Sequence, residues 1–177
     1  MKYYQLRQSN NMRYVVEIIW QQGKRIPYQV MERDFEKLNK VQVAYYQYKD
    51  NMEISDILEH PTFLVNDVIK KVMELYEENI RFKGLQLYPT ELSDKISPFY
   101  WIPMMEEVEC LHPESIVFPN GEIKDFMLSG RRLGGKDIFR VGGIKENRVI
   151  ITLPVAESIL RRKAFGVALE EVRVENE

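Results

Sequence analysis

The sequence predicts an α+β fold, mainly antiparallel sheet with two principal helices, and three observations predict it. Runs rich in β-branched and aromatic residues recur along the chain, while only residues 66–77 and 154–164 carry a helical period. Short loops rich in Pro, Asp, Asn and Gly separate the runs, as between antiparallel neighbours. A doubly wound parallel sheet needs a helical crossover between most of its strands, and two helices are too few.

Taken in order, residues 2–6, 14–20 and 41–48 read as strands, with turn chemistry at Ser9-Asn10-Asn11 and Gln22-Gly23-Lys24. His60-Pro61 interrupts the chain, because proline pushes its predecessor out of the helical region. The organisation is therefore either a strand-rich N-terminal subdomain, 1–60, followed by an α+β domain, 61–177, or one continuous domain. From Asn66, a good N-cap, Val68, Ile69, Val72, Met73 and Tyr76 form one apolar stripe, and Lys70, Lys71, Glu74 and Glu77 face outward. Strand-like runs follow at 84–88, 99–105, 123–128, 137–141 and 148–152. The second helix opens with Pro154 at its first position and closes at Gly166 as a left-handed cap. Residues 167–174 then alternate like a half-exposed last strand, and no internal repeat is evident.

A single fold of 177 residues buries about 70% of its unfolded surface, so a real core is available. Twenty-five basic and 27 acidic residues leave a net charge of −2, which gives no global field toward nucleic acid or an anionic membrane. The lone Cys110 excludes an internal disulfide framework, and the chain holds neither a secretory apolar core nor an apolar run near the ~18 residues that span a bilayer. A cytoplasmic protein with no membrane partner is expected.

Gly130-Arg131-Arg132-Leu133-Gly134-Gly135-Lys136-Asp137 places glycines and lysine as a phosphate-binding loop does. Asp137, however, stands where the magnesium-binding hydroxyl belongs, and Ile138-Phe139-Arg140-Val141 reads as strand, whereas a phosphate loop must open a helix. A glycine hairpin loop is the better reading. Its Arg131, Arg132 and Lys136 can still grip an acidic partner or a nucleic-acid backbone, although no aromatic residues interleave with them for stacking. Arg161-Arg162-Lys163 complements the dipole at the end of the second helix.

Cys110 and His112 would share a face in a strand, as a nucleophile and base or as metal ligands would. Two histidines and one cysteine are too thin a supply for the usual structural zinc set, so no catalytic residue, cofactor or metal site is assigned. Glu106, Glu107, Glu109 and Glu114 concentrate negative charge that can face a basic partner, and ordinary solvated positions explain them equally well. Tyr100-Trp101 and the tyrosines at 45, 46 and 48 read either as interface anchors or as sheet core. The candidate partner-binding set is Arg131, Arg132, Lys136, Glu106, Glu107 and Glu109.

A family resemblance adds to this reading. Phe63-Leu64-Val65-Asn66 opening a helix, Val108-Glu109-Cys110-Leu111 with Ser115, Ile138 to Val141, Val149-Ile150-Ile151 before a helix, and Gly166-Val167 before a last strand occur in that order. In these ordered motifs the chain resembles, over residues 61–174, the eleventh of the immunity-protein families found beside bacterial polymorphic toxins. The resemblance implies a cytoplasmic α+β protein, without catalytic residues, that binds and neutralises a cognate toxin. Two other readings stand beside it: a nucleotide- or nucleic-acid-binding protein using the loop at 130–136, and an enzyme using Cys110 and His112.

Overall fold

The computed structural model describes residues 1–91 and 95–175, and in it the fold is α+β, mainly sheet. The first half runs β1 (Tyr3–Gln8), β2 (Ile18–Ile19), α1 (Glu32–Lys37), β3 (Val41–Tyr46), β4 (Ile57–Leu58), β5 (Leu64–Val65), α2 (Asp67–Tyr76), β6 (Arg81–Pro89) and β7 (Phe99–Met104). The second half runs β8 (Glu107–Val108), β9 (Ile116–Val117), β10 (Ile123–Lys124), β11 (Met127–Ser129), β12 (Ile138–Val141), β13 (Val149–Thr152), α3 (Leu153–Arg161) and β14 (Val167–Glu175).

Two six-stranded sheets result, ordered β11-β14-β1-β13-β12-β8 and β2-β3-β6-β7-β5-β4, with β9 and β10 as a separate ribbon. Antiparallel pairs predominate, but β3 runs parallel to β6, β11 to β14 and β8 to β12. The first sixty residues are not a separate packing unit. β1 lies between β13 and β14, and β3 lies beside β6, so the N-terminal segment builds both sheets.

The helices form where the apolar period demands them. Asn66 accepts hydrogen bonds from the amides of Val68 (3.0 Å) and Ile69 (3.1 Å), satisfying donors that a helix start leaves open. α2 buries Ile69, Val72 and Met73, and α3 buries Val155, Ala156 and Ile159, in one core shared with Leu6, Val65, Val149 and Ile151 from both sheets. Each large aliphatic side chain buried there contributes roughly 1.5–3 kcal/mol. The outer faces are covered differently: Val16, Ile26, Val30 and Phe35 pack over the second sheet, Cys110, Leu133 and Ile144 over the first.

Three local expectations are corrected. The second helix ends at Arg161, and Lys163 (φ +54°) rather than Gly166 takes the left-handed position after it. The strand expected at 123–128 breaks at Asp125 (φ +47°) into β10 and β11. The loop at 130–137 is not a hairpin turn, because β14, β1 and β13 lie between β11 and β12. It crosses four strand spacings, about 19 Å. Leu133, buried in the outer core, holds it down on the way.

The structure also contains the repeat that the residues conceal. α2 and α3 begin 86 residues apart (Asp67, Leu153), and so do β6 and β14 (Arg81, Val167). The buried positions Ile69, Val72 and Met73 recur as Val155, Ser158 and Ile159. β7 is antiparallel to both β5 and β6, as β1 is to both β13 and β14. β3 and β11 occupy matching parallel positions, β4 and β12 matching antiparallel ones. Each sheet thus contains the same five strands and one helix, with β8 and β2 added outside the match, except that the central strand of the first sheet arrives from the opposite end of the chain. Only the burial pattern repeats, not the residue types, so periodicity within either half does not reveal it.

Candidate functional site

Two of the carboxylates singled out by the sequence, Glu106 and Glu107, lie on a cleft of about 360 Å³ at the junction of the two sheets. The chain leaves β7 at Met104 and enters β8, which pairs Glu107 with Arg140 of β12. The starts of α1 and β6 and the end of α2 close the cleft, bringing Glu32, Arg81 and Glu77 to the same place.

Charge pairing organises this cleft. Arg140 is 5% exposed; its Nη2 donates to Glu107 Oε2 at 2.8 Å and its Nη1 to the Val30 carbonyl at 3.1 Å. Its Nε is buried and has no hydrogen-bond partner among the described residues. A guanidinium this buried is held by its pairing, since removing the partner would strand a desolvated charge. Arg81 donates to Glu32 and to Glu36, each at 2.7 Å. That hydrogen bond keeps the Glu32 carboxyl below its ordinary value. Lys136 pairs with Glu106, and the hydrogen bond raises the lysine above its ordinary value. Glu77 accepts from the Asp137 amide at 2.9 Å. Four carboxylates, Glu32, Glu77, Glu106 and Glu107, line the cleft with two cations, Arg81 and Arg140, while Glu36 and Lys136 pair with lining residues from outside it, and the cleft is acidic in balance. Chemically it suits recognition of cationic side chains.

The remaining candidates are dispersed. Glu109 is exposed just past the end of β8, beside Glu107, where Gly142 lets both approach: a Cβ built there would lie 3.2 Å from Glu109 Cγ and 3.0 Å from Glu107 Cγ. Arg131 and Arg132 are exposed on a 3-10 turn, Gly130–Arg132, and Arg132 Nη1 leans toward the Leu111 carbonyl at 3.5 Å. Lys136 turns instead to Glu106, so the loop's cations have different neighbours. Gly134 and Gly135 take φ of +62° and +73°, and the chain then enters β12 rather than a helix. Asp137 is occupied by the Thr152 hydroxyl, which donates to it at 2.7 Å.

Cys110 and His112 lie outside any strand, so the shared strand face that their spacing would give does not arise; they follow β8 in a loop joined to the sheet through a Leu111–Leu128 bridge. Cys110 is fully buried, and burial pushes its thiol up to about 11. At neutral pH it is therefore a protonated, apolar-packed side chain, not a thiolate nucleophile. His112 is 8% exposed, and its Nδ1 accepts from the Glu114 amide at 3.2 Å. Iodoacetamide at neutral pH is accordingly expected to leave Cys110 unmodified in the folded protein and to label it fully in denaturant, read by intact mass. Rapid labelling of the folded chain would contradict this burial.

Arg140 and Arg81 were not singled out from the sequence. For Arg140 a signal existed, since it interrupts a run of otherwise apolar strand residues, Ile138-Phe139-Arg140-Val141. Arg81 and Glu32 meet across 49 residues, and no local pattern joins them. Compared with models of known protein families and with curated proteins, the sequence matches none.

Proposed function

We propose that this chain is a non-enzymatic cytoplasmic immunity protein that binds a cognate bacterial toxin domain and neutralises it by occlusion. The observation that carries the reading is the cleft, where carboxylates outnumber cations at an open junction of two sheets. A basic surface, such as that of a nucleic-acid-cleaving domain, is the partner such a balance attracts. The ordered motifs between residues 61 and 174 that resemble the immunity-protein family support the same reading. An interface of standard size, about 800 Å² on each partner, covers the cleft and its rim.

The test is co-expression with the toxic domain encoded by the neighbouring reading frame. Survival is expected with this chain and death without it, and unchanged killing would sink the proposal. Glu32→Lys combined with Glu106→Lys inverts charge at two exposed positions and is expected to slow association about tenfold or more, with a weaker salt dependence. Both pairs are solvated, so the fold itself should tolerate the change.

A further inference from the structure

The second sheet has one edge that the chain begins to cover and then leaves. β2 pairs with β3 only at Ile18↔Tyr46 and Ile19↔Tyr45; the chain then turns, with Gly23 at φ +79° and the Lys24 amide donating to the Gln21 carbonyl at 3.1 Å. On the other side of β3, the Gly84 amide donates to the Lys40 carbonyl at 2.9 Å, and the parallel register that starts at Val41↔Gly84 turns the backbone groups of Gln42, Ala44 and Tyr46 toward β6. Those of Val41 and Val43 therefore point outward. Their N–H and C=O groups have no backbone partner among the described residues, and the two valines are 43% and 40% exposed. An edge in this state is a template for another strand.

A groove of about 480 Å³ lies against the same edge, between β3, residues 23–27 and the end of α1. Its lining holds three cations, Lys24, Arg25 and Lys37, and one carboxylate, Asp34, which lies 3.7 Å from Arg33. All three cations are exposed, and none pairs with a carboxylate among the described residues. Their side of the strand is fixed by packing. Ile26 and Phe35 share a core with Ala44 and Tyr46, so residues 23–27 and α1 lie over the face of β3 that carries Ala44, while Val41 and Val43 stand on the other face.

We infer that this edge accepts an extended acidic segment of a partner protein, added as a strand beside β3 and antiparallel to it, in line with β2. The open backbone groups of Val41 and Val43 supply the pairing, and main-chain pairing of this kind gives affinity while alternate side chains give specificity. Directly opposed residues of an antiparallel pair share a face. The segment's residues opposite Val41 and Val43 are therefore apolar, and those opposite Gln42 and Ala44, on the side of Lys24, Arg25 and Lys37, are acidic. Charge also decides against the other strand at hand, a second copy of β3: across a two-fold axis the three cations would face their own copies. The inference goes beyond the toxin reading. The groove shares no lining residue with the acidic cleft and has the opposite charge balance.

The probe is a fluorescein-labelled heptapeptide, Val-Glu-Val-Glu-Val-Glu-Val, titrated with the full chain and read by fluorescence anisotropy. A saturable rise is expected. Methylating the valine amides of the peptide, which face β3 in the hydrogen-bonded pairs, is expected to abolish it, whereas methylating the glutamate amides, which face away, leaves it. Val43→Pro removes the outward N–H at a position where an edge strand tolerates proline, and is expected to abolish binding with an unchanged circular dichroism spectrum. Lys24→Glu combined with Arg25→Glu changes two exposed side chains and no backbone group, and is expected to weaken binding about tenfold or more. No rise up to about 1 mM chain, the limit of even millimolar affinity, overturns the inference. So does binding that survives methylation of the valine amides, which is charge attraction alone, or a chain that sediments as a dimer until Val43→Pro dissolves it, which gives the edge to a second copy. The peptide carries no cationic side chain and no toxin is present, so these results stand apart from the test of the cleft.

Discussion

Replacing Gly166 with alanine is expected to lower the midpoint of thermal unfolding by about 6–12 °C, from a loss of roughly 3 kcal/mol. Gly166 sits at φ +71°, a left-handed conformation that costs an L-residue about 1–2 kcal/mol. Its surroundings add more. A Cβ there would lie 2.5 Å from Met12 Sδ and 2.8 Å from Ser55 Cβ, while Ser55 is 1% exposed and has nowhere to go. Ser55 Oγ donates to the Gly166 carbonyl at 3.0 Å and accepts from the Ile57 amide at 3.2 Å, so displacing it breaks both bonds. Overpacking of this kind adds about 1–3 kcal/mol. Gly134→Ala supplies the control, since Gly134 also has positive φ (+62°) but no atom of the described residues within 4 Å of a built Cβ. It should lose only the backbone part, about 1–2 kcal/mol. Equal losses at the two glycines would show that crowding at Ser55 contributes nothing.

Gly166 also marks the limit of what the sequence discloses. As a glycine after an apolar helical stripe it reads as a cap, and that reading identified the correct neighbourhood for the wrong reason. Lys163 supplies the left-handed turn, and Gly166 is needed because β1, β4 and β14 converge on it: Ser9 N donates to its carbonyl at 2.8 Å and Ser55 presses from the other side. Convergence of that sort is invisible in a local window. Elements that carry their own signal were legible, such as α2 with its Asn66 cap and β7 with its alternating buried Tyr100 and Ile102. α1 was missed because six residues burying only Phe35 make no stripe. The sandwiching of β1 between β13 and β14, and the three parallel pairings, are settled by tertiary packing. The site divides in the same way: Glu106 and Glu107 were legible as local acidic excess, while Arg140 meets Glu107 across 33 residues.

The same joint predicts the second large effect, at Asp56. Its Oδ2 accepts from the Phe165 amide at 2.7 Å and its Oδ1 from Asn66 Nδ2 at 2.6 Å, and Asn66 in turn caps α2. One carboxylate thus ties the loop after α3 to the start of α2. Asp56→Ala leaves both donors without a partner and is expected to cost about 2–4 kcal/mol. Asp56→Asn keeps one acceptor but sets an N–H₂ against the other donor, and Asn66 cannot flip to receive it while its oxygen caps the helix. A smaller loss, about 1 kcal/mol, is expected there. The variants also separate hydrogen bonding from charge. Desolvation raises the Asp56 carboxyl above its ordinary value, outweighing the Phe165 amide, which lowers it. A raised acid binds its proton more tightly in the folded chain, so its contribution to stability is full below the unfolded value of about 3.9 and is lost as pH rises through the folded one. Urea titrations from pH 3.5 upward should therefore show the advantage of the wild type over Asp56→Asn narrowing above about pH 4, with Asp56→Asn the less stable throughout. If Asp56→Asn matched or exceeded the wild type at neutral pH, the charge rather than the paired acceptors would dominate the joint. Combined with Gly166→Ala, Asp56→Ala should cost less than the sum of the two, because both loosen the contact between the loop after α3 and the segment before β4.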